Sequence, residues 1–310
     1  MRLAAVSVDL DEIGCYTAIH GLEPPDPAAG HAIYRRALPR LRRLFDEEGL
    51  PATFFAIGRD LEGDGADGNA EALRDLRADG HEIANHSRAH LYDLTRRPRA
   101  VIEDEVAGAI ERIEAACGER PVGFRAPGYT ITDAVFDVLA DLGVRYDSSV
   151  FPCPAYYAAK TAAIGAIRAR GRRSHSVVDD PRVLGAPADP YRVGRPYWRR
   201  GGGLLELPIG VTRGPRLPFI GTSVVLSGEM GARWLTRATI GRPLVNLELH
   251  GIDLADADED GLGFLAPHQP DLRRSARAKA AALRAAVREL RGAGYRFVTL
   301  REAAEAFGGR

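Results

Sequence analysis

The segment Asn85-His-Ser-Arg-Ala-His90 carries two histidines four residues apart, and three of the chain's eight histidines fall between positions 81 and 90. That spacing puts two imidazoles on one face of a helical turn, where both reach a single metal ion. Neutral imidazole suits zinc and its neighbours in the transition series. A lone His-x-x-x-His is more often a pair of core or surface histidines, so the motif needs a further donor. The stretch VSVDLDEIG, residues 6–14, offers one. It reads as the end of a strand. Strand side chains alternate, so Asp9 and Asp11 point the same way, roughly 7 Å apart, while Leu10 points opposite. Read alone, the two acids are equally well a loop cap and a solvated carboxylate. With Asp11 facing His86 and His90, two imidazoles and a carboxylate would leave room for water, as a catalytic metal requires.

Two further residues have the right chemistry. Arg125 sits in Phe124-Arg-Ala-Pro-Gly-Tyr129, a tight turn after another strand. By itself it is a surface arginine on a turn. Beside two aspartates it becomes the charge partner that keeps Asp9 ionised and oriented. His250 closes LELH at the end of a late strand. A lone histidine there is more often structural, but it is also the proton donor that the set lacks.

These residues must be positioned by strands and helices that the pattern makes visible. Leu3–Val8, 51–58, 81–85, 121–125 and 144–147 read as short strands. Helical spacing of apolar residues separates them: Tyr34, Leu38, Leu41 and Phe45, with Pro39 as a kink, then 69–80, then Ile102, Val106, Ile110 and Ile113, then 132–142. Strands alternating with helices imply parallel pairing through crossovers, and sites form at the carboxyl edge of such sheets. Residues 158–203 begin with an Ala-rich helix and continue as a Pro/Gly/Arg-rich insertion. Strands return at 204–210 and 243–251, then a helix with Leu283, Val287 and Leu290, a strand at 295–300 and a short last helix. No internal repeat or domain boundary is visible, so residues 1–310 are expected to form a single catalytic domain with an irregular insertion at about 155–203.

Hydrophobic content of 45% and charged content of 27% are those of a chain that buries a core. Lys+Arg and Asp+Glu balance at 42 each, so no polyanionic partner is implied and the arginine runs read as solvated faces or a lid. Three scattered cysteines point to neither a disulfide framework nor a cysteine zinc site. The short apolar run at the N-terminus leads straight into acids, unlike a secretion signal, and no window is long enough for a membrane span. A cytoplasmic protein is expected, with attachment to the inner membrane surface and oligomerisation both left open.

VDLD, NHSRAH, FRAPGY, YDSS and LELH occur in the order and approximate spacing of the polysaccharide deacetylase family (NodB-homology, carbohydrate esterase family 4), which the chain resembles over most of residues 1–150 and 204–305. The resemblance implies an α/β fold, a distorted (β/α) barrel of seven or eight strands, and metal-dependent removal of an N-acyl group from an amino sugar or related saccharide. By position, Asp11, His86 and His90 would hold a divalent transition metal, zinc first. Asp9 would be the general base with Arg125 as its partner, and the Tyr129 backbone N–H would help hold the oxyanion. His250, across the substrate from Asp9, would protonate the leaving amine, with Asp147 tuning it. Leu10 between the aspartates departs from the adjacent pair of many members. It is similar to branches that include the deformylase of lipid-linked formamido-arabinose. Deformylation, ureide hydrolysis, and a saccharide-binding member without turnover are the alternative readings. Small-molecule or lipid-linked saccharides are the expected partners, and nucleic acid is not. The insertion, with Tyr156, Tyr157, Tyr191 and Trp198, is expected to flank the substrate.

Overall fold

The computed structural model describes residues 2–63 and 65–309. Among the described residues nine strands occur in chain order: β1 (Leu3–Asp9), β2 (Thr53–Ala56), β3 (Glu82–Asn85), β4 (Gly123–Phe124), β5 (Tyr146–Asp147), β6 (Tyr191–Val193), β7 (Arg200–Glu206), β8 (Leu244–His250) and β9 (Arg296–Phe297). Eight form a continuous path, β6-β7-β5-β4-β3-β2-β1-β8, and β9 pairs with the first residues of β1. All pairings are parallel except β6 with β7. The curled sheet is the expected distorted barrel.

Closure is made by irregular chain rather than by a strand. After β7, Leu207 N–H donates to Asp147 O at 2.8 Å and Ile209 N–H to Val150 O at 3.0 Å. Gly210 N–H then reaches Asn246 O on β8 at 2.9 Å. A Cβ at Gly210 would stand 2.4 Å from that same Asn246 oxygen, so only glycine allows the approach.

Alternation along β1 sorts its side chains into two environments. Ala4, Val6, Val8 and Leu10 join the large cluster under the outer helices, with Val245, Leu247 and Leu249 of β8. Leu3 and Ala5 face inward with Phe55, Ala84, Leu205 and Leu244, and Val298, Leu300 and Ala303 plug this lower end. Ser7 and Asp9 continue the inward column, and on β8 Asn246, Glu248 and His250 continue above Leu244. The interior therefore changes from hydrocarbon to polar and charged groups toward the carboxyl ends of the strands. Burying each large apolar side chain contributes about 1.5–3 kcal/mol, and this lower plug anchors the polar groups above it.

Several elements differ from the sequence expectation. The helix at 33–48 is a π-helical turn, Ile33–Ala37, running into the α-helix Leu38–Glu48. Pro39 lies at the junction, where it has no N–H for the helical ladder. Helices Ile13–His20 and Gly221–Arg237 were not legible. The second bends at Gly228 (φ 65°) and contains a further glycine at 231, which breaks the apolar period. Arg200–Gly203, expected as part of an irregular insertion, is the start of β7.

The segment after β8 is tied down by Lys279, which is fully buried. Its Nζ donates to Ile252 O at 3.0 Å and Ala255 O at 2.9 Å, with Asp271 at 3.5 Å. Removing one member of such a buried pair costs about 3–5 kcal/mol. Lys279→Met should therefore lower unfolding stability by about 3 kcal/mol in a urea titration. A loss below about 0.5 kcal/mol would show that this cation does not anchor the segment.

Candidate active site

The site is built at the carboxyl edge of β1, β3, β4 and β8. Asp9 ends β1 and is almost wholly buried, as is Arg125, which follows β4. Arg125 Nη1 donates to Asp9 Oδ1 at 2.6 Å. Its Nη2 donates to Ser7 Oγ and Ser148 Oγ, each at 2.9 Å, and its Nε to Ser148 O at 2.8 Å. The guanidinium lies 4.2 Å from the centre of the Phe55 ring. Every nitrogen is satisfied, as a buried cation requires. The other oxygen of Asp9, Oδ2, is buried and, among the described residues, has no hydrogen-bond partner. One oxygen is thus clamped and the other is open.

Asp11 lies past the strand end, between two imidazoles. Oδ1 is 3.2 Å from His86 Nε2 and Oδ2 is 3.2 Å from His90 Nε2. His86 Nδ1 is 2.8 Å from Arg125 O. A carbonyl can only accept, so this nitrogen carries the hydrogen and Nε2 of the neutral ring presents a lone pair to a carboxylate. Two acceptors at that distance require a cation between them, a proton or a metal ion. Both ring nitrogens of His90 and Asp11 Oδ1 are buried without hydrogen-bond partners. This donor set fits a divalent transition metal. Burial pushes the Asp11 pKa up, but His90 and His86 more than offset it and hold it well below the ordinary carboxylate range. Burial keeps His90 below its usual value, that is, neutral.

The two histidines do not share a helical turn. Residues 86–90 form a loop in which Ser87 (φ 65°) and His90 (φ 54°) adopt left-handed backbone. Ser87 N–H donates to Asn85 Oδ1 at 2.8 Å and His90 N–H to Ser87 Oγ at 3.1 Å. The serine and asparagine stabilise locally what the β-carbons disfavour. His81 lies apart, its ring 5.4 Å from that of Phe54 and its Nδ1 accepting Ala52 N–H at 3.1 Å.

His250 is the Cα partner of Asp9 across β1 and β8. The two therefore stand side by side at the ends of neighbouring strands. His250 Nδ1 is 2.9 Å from Glu248 Oε1 and Nε2 is 4.0 Å from Asp11 Oδ2. Burial alone would depress its pKa. Glu248 first, then Asp11 and Asp9, outweigh this and hold it well above the ordinary histidine value. Glu248 was not foreseen, although alternation in LELH puts it on the same face as His250.

Two expected site residues have other partners here. Asp147 does not reach His250. It accepts from Ser149 N–H at 2.9 Å and Ser149 Oγ at 2.8 Å, and Ser149 Oγ accepts Ala126 N–H at 2.8 Å. It thus braces the turn that carries Arg125. Strand pairing explains the difference, because three strands separate β5 from β1 and β5 lies beside β4. The Tyr129 backbone N–H, expected at the oxyanion, donates to Ala126 O at 3.1 Å, and Tyr129 instead brings its hydroxyl to 3.5 Å from the His250 ring nitrogens.

Above these groups opens a cleft of about 180 Å³, lined by Asp11, His250, Tyr16, Tyr92, Tyr129, Tyr156 and Lys160. Lys160 Nζ donates to Gly128 O at 2.7 Å and Tyr156 stacks near Phe151 at 4.8 Å. From the insertion, Tyr156 reaches the cleft as expected. Tyr157 hydrogen-bonds to Asp179 O, while Tyr191 and Trp198 pack in a separate core. Cys15 was also missed: its sulfur lies within 4.8 Å of donor atoms on Asp11 and His90. It is four residues from Asp11, a signal that the scattered count of cysteines hid.

Residues 30–146 match the polysaccharide deacetylase family. A peptidoglycan deacetylase of Helicobacter pylori is 28% identical over 150 residues, covering 48% of this chain and 49% of that protein. A chitooligosaccharide deacetylase of a Bradyrhizobium species is 35% identical over 107 residues, covering 34% and 46%. The chain spans about half the length of these curated relatives. Family profile and relatives together support the polysaccharide deacetylase family. The fold is shared with a Mycobacterium smegmatis protein assigned to the polysaccharide deacetylases (TM-score 0.58, 21% identity, 99% of this chain and 91% of that one). It is also shared with a CE4 family pseudoenzyme of Bacillus anthracis (TM-score 0.52, 12% identity, 98% and 65%). The fold by itself therefore does not establish turnover.

Glu248→Gln should bring the His250 pKa down, because the carboxylate that outweighs burial is lost. In NMR titration the imidazole should then deprotonate at lower pH than in the parent protein. An unchanged titration would show that Glu248 does not set the charge of His250.

Proposed function

We propose that this chain is a metal-dependent hydrolase of the polysaccharide deacetylase family that removes an N-acyl group from an amino sugar. The observation that carries the reading is the placement of Asp11 between two imidazole nitrogens, 3.2 Å from each, with a clamped aspartate and a paired histidine on the same edge. Asp11, His86 and His90 would hold the metal, zinc being favoured by a nitrogen and oxygen donor set. When bound, it supplies positive charge that polarises the acyl carbonyl and lowers the pKa of water toward about 7.

The chain's own groups do the rest. Asp9 Oδ2, which among the described residues has no hydrogen-bond partner and lies 3.7 Å from His86 Nε2, takes a proton from the attacking water. Arg125 pairs with the other oxygen and fixes the rotation of that carboxylate. As the C–N bond breaks, His250 gives a proton to the departing nitrogen, which would otherwise leave as a poor anion. Glu248 keeps His250 charged for that step. The products are a carboxylic acid and a free amine, with one water consumed. The tyrosines around the cleft exclude bulk solvent and offer faces for a sugar ring. We read the chain as one catalytic unit, with residues from 154 onward supplying one wall. Whether the acyl group is acetyl or formyl is decided by the product released, and Leu10 between the aspartates favours testing formyl substrates alongside acetyl ones.

The two aspartates should separate by role. Asp9→Asn should lower acyl release by about 10²–10⁴-fold yet retain metal in elemental analysis. Asp11→Asn should lose metal itself. Equal metal loss in both variants, or full activity in Asp9→Asn, would defeat these assignments.

A further inference from the structure

Beside the cleft lies a second cavity of about 610 Å³. Tyr92 and Ser176 line both, and the Asp11–His90 contact divides them, His90 lining the second cavity and Asp11 the cleft. Four arginines line this second space, Arg59, Arg96, Arg97 and Arg173, against one carboxylate, Asp93. Asp93 is already engaged, because Arg97 Nε donates to it at 3.0 Å and Arg97 Nη2 lies 2.9 Å away. Arg59 is held in place by Ala89 O at 3.1 Å and Cys15 Sγ at 3.2 Å, with Asp60 at 3.7 Å. Among the described residues, Arg96 and Arg173 have no side-chain hydrogen bond or ion pair, and both are exposed. Ser174 and Ser176 add hydroxyls to the same wall.

This excess of positive charge is not general. Another groove of about 620 Å³ also holds arginines, but its Arg42 is paired with Asp75 and Asp79, and Asp46 and Glu71 line it as well. In that groove the carboxylates outnumber the arginines. In the cavity beside the cleft the arginines outnumber the carboxylates. Its free cations are guanidiniums, whose planar fork matches carboxylate and phosphate oxygens in pairs. The two lysines of the chain, Lys160 and Lys279, are both occupied by backbone carbonyls.

We propose that the arginine-lined cavity is a subsite for an anionic group on the substrate, a carboxylate or a phosphate ester carried next to the acylated amine. That the ligand is an acylated sugar rests on the hydrolase reading above, whereas the preference for an anion rests on the cavity. The shared wall sets the two spaces next to each other, because Tyr92 and Ser176 border both. Arg96 and Arg173 make the contacts with the anion, and Arg59 fixes the wall between the two spaces.

Isothermal titration with N-acetylglucosamine, N-acetylglucosamine 1-phosphate, an N-acetylated amino uronic acid and inorganic phosphate tests this. The parent protein should bind one or both charged sugars roughly tenfold more tightly than the neutral one, about 1.4 kcal/mol. Whichever charged sugar binds better identifies the oxyanion. In the Arg96→Ala/Arg173→Ala double variant that margin should vanish, with the circular dichroism spectrum unchanged. Added salt should erode the margin in the parent. Neither arginine touches Asp11, His86 or His90, so anion binding at a metal would be the same in both proteins and cancels. Equal affinity for neutral and charged sugars in the parent, or an undiminished margin in the double variant, overturns the proposal. The readout is binding, so the two readings fail separately. Absent acyl release with a charge preference lost in the double variant refutes the hydrolase and keeps the subsite. Acyl release with charge-blind binding does the reverse.

Discussion

The buried pair of Asp9 and Arg125 is the constraint around which the rest of this molecule is arranged. Taking a carboxylate and a guanidinium out of water costs several kcal/mol for each ion, and their attraction offsets this only with good geometry and every remaining donor satisfied. The chain meets the second condition with Ser7 from β1, Ser148 after β5 and the Phe55 ring from β2. Four strands, β1, β2, β4 and β5, must therefore be in place before the pair can exist. Those strands also carry the inward polar column, so the arginine couples the fold of the sheet to the geometry of the site. The same clamp leaves one oxygen of Asp9 open. A base whose rotation is fixed by a cation on one side and free on the other is pre-organised for proton transfer.

A second constraint is electrostatic. Asp9, Asp11, Glu248 and Asp253 gather around two strand ends, with His86, His90, His250 and Arg125 as the answering cations or potential cations. The acids differ in what they face. Arg125 serves Asp9, imidazoles serve Asp11, and His250 pairs with Glu248. This division keeps one histidine neutral and another charged in the same few ångströms, because each ring answers to a different balance of burial and nearby carboxylates. Of the arginines of the neighbouring cavity, Arg59 adds to that balance beside Asp11 and His90, while Arg96 and Arg173 are exposed and, among the described residues, unpaired.

Much of this was legible in the residues. Alternation in AAVSVDL separated the inward aspartates from the outward Leu10, and the structure seats Leu10 among the apolar groups of the helical layer. The order of short strands and amphipathic helices gave the parallel α/β architecture, because each strand must be covered by the helix that follows it. What failed, failed for local reasons. His-x-x-x-His fits a helical turn by spacing alone, but Asn85 and Ser87 offer side-chain hydrogen bonds that favour a left-handed loop. The helix at 221–237 was hidden because Gly228 and Gly231 interrupt its pattern, while packing against the helix Ala276–Gly292 supplies what propensity lacks.

The sequence by itself determined the donor types, their order and the faces on which they lie, since these follow from side-chain chemistry and from periods of 2 and 3.6. It also contained the Glu248–His250 pair, two residues apart on one strand face. Tertiary structure alone decided which groups meet. Residues 9 and 250 become neighbours because β1 and β8 pair in parallel at that register. Asp147 serves the Arg125 turn instead of His250 because β5 lies beside β4. Cys15 and Arg59 come within 3.2 Å of each other because a short helix folds back over the strand ends. Such encounters depend on crossover paths and sheet curvature, which no local pattern encodes, because they are set by how all the layers pack at once.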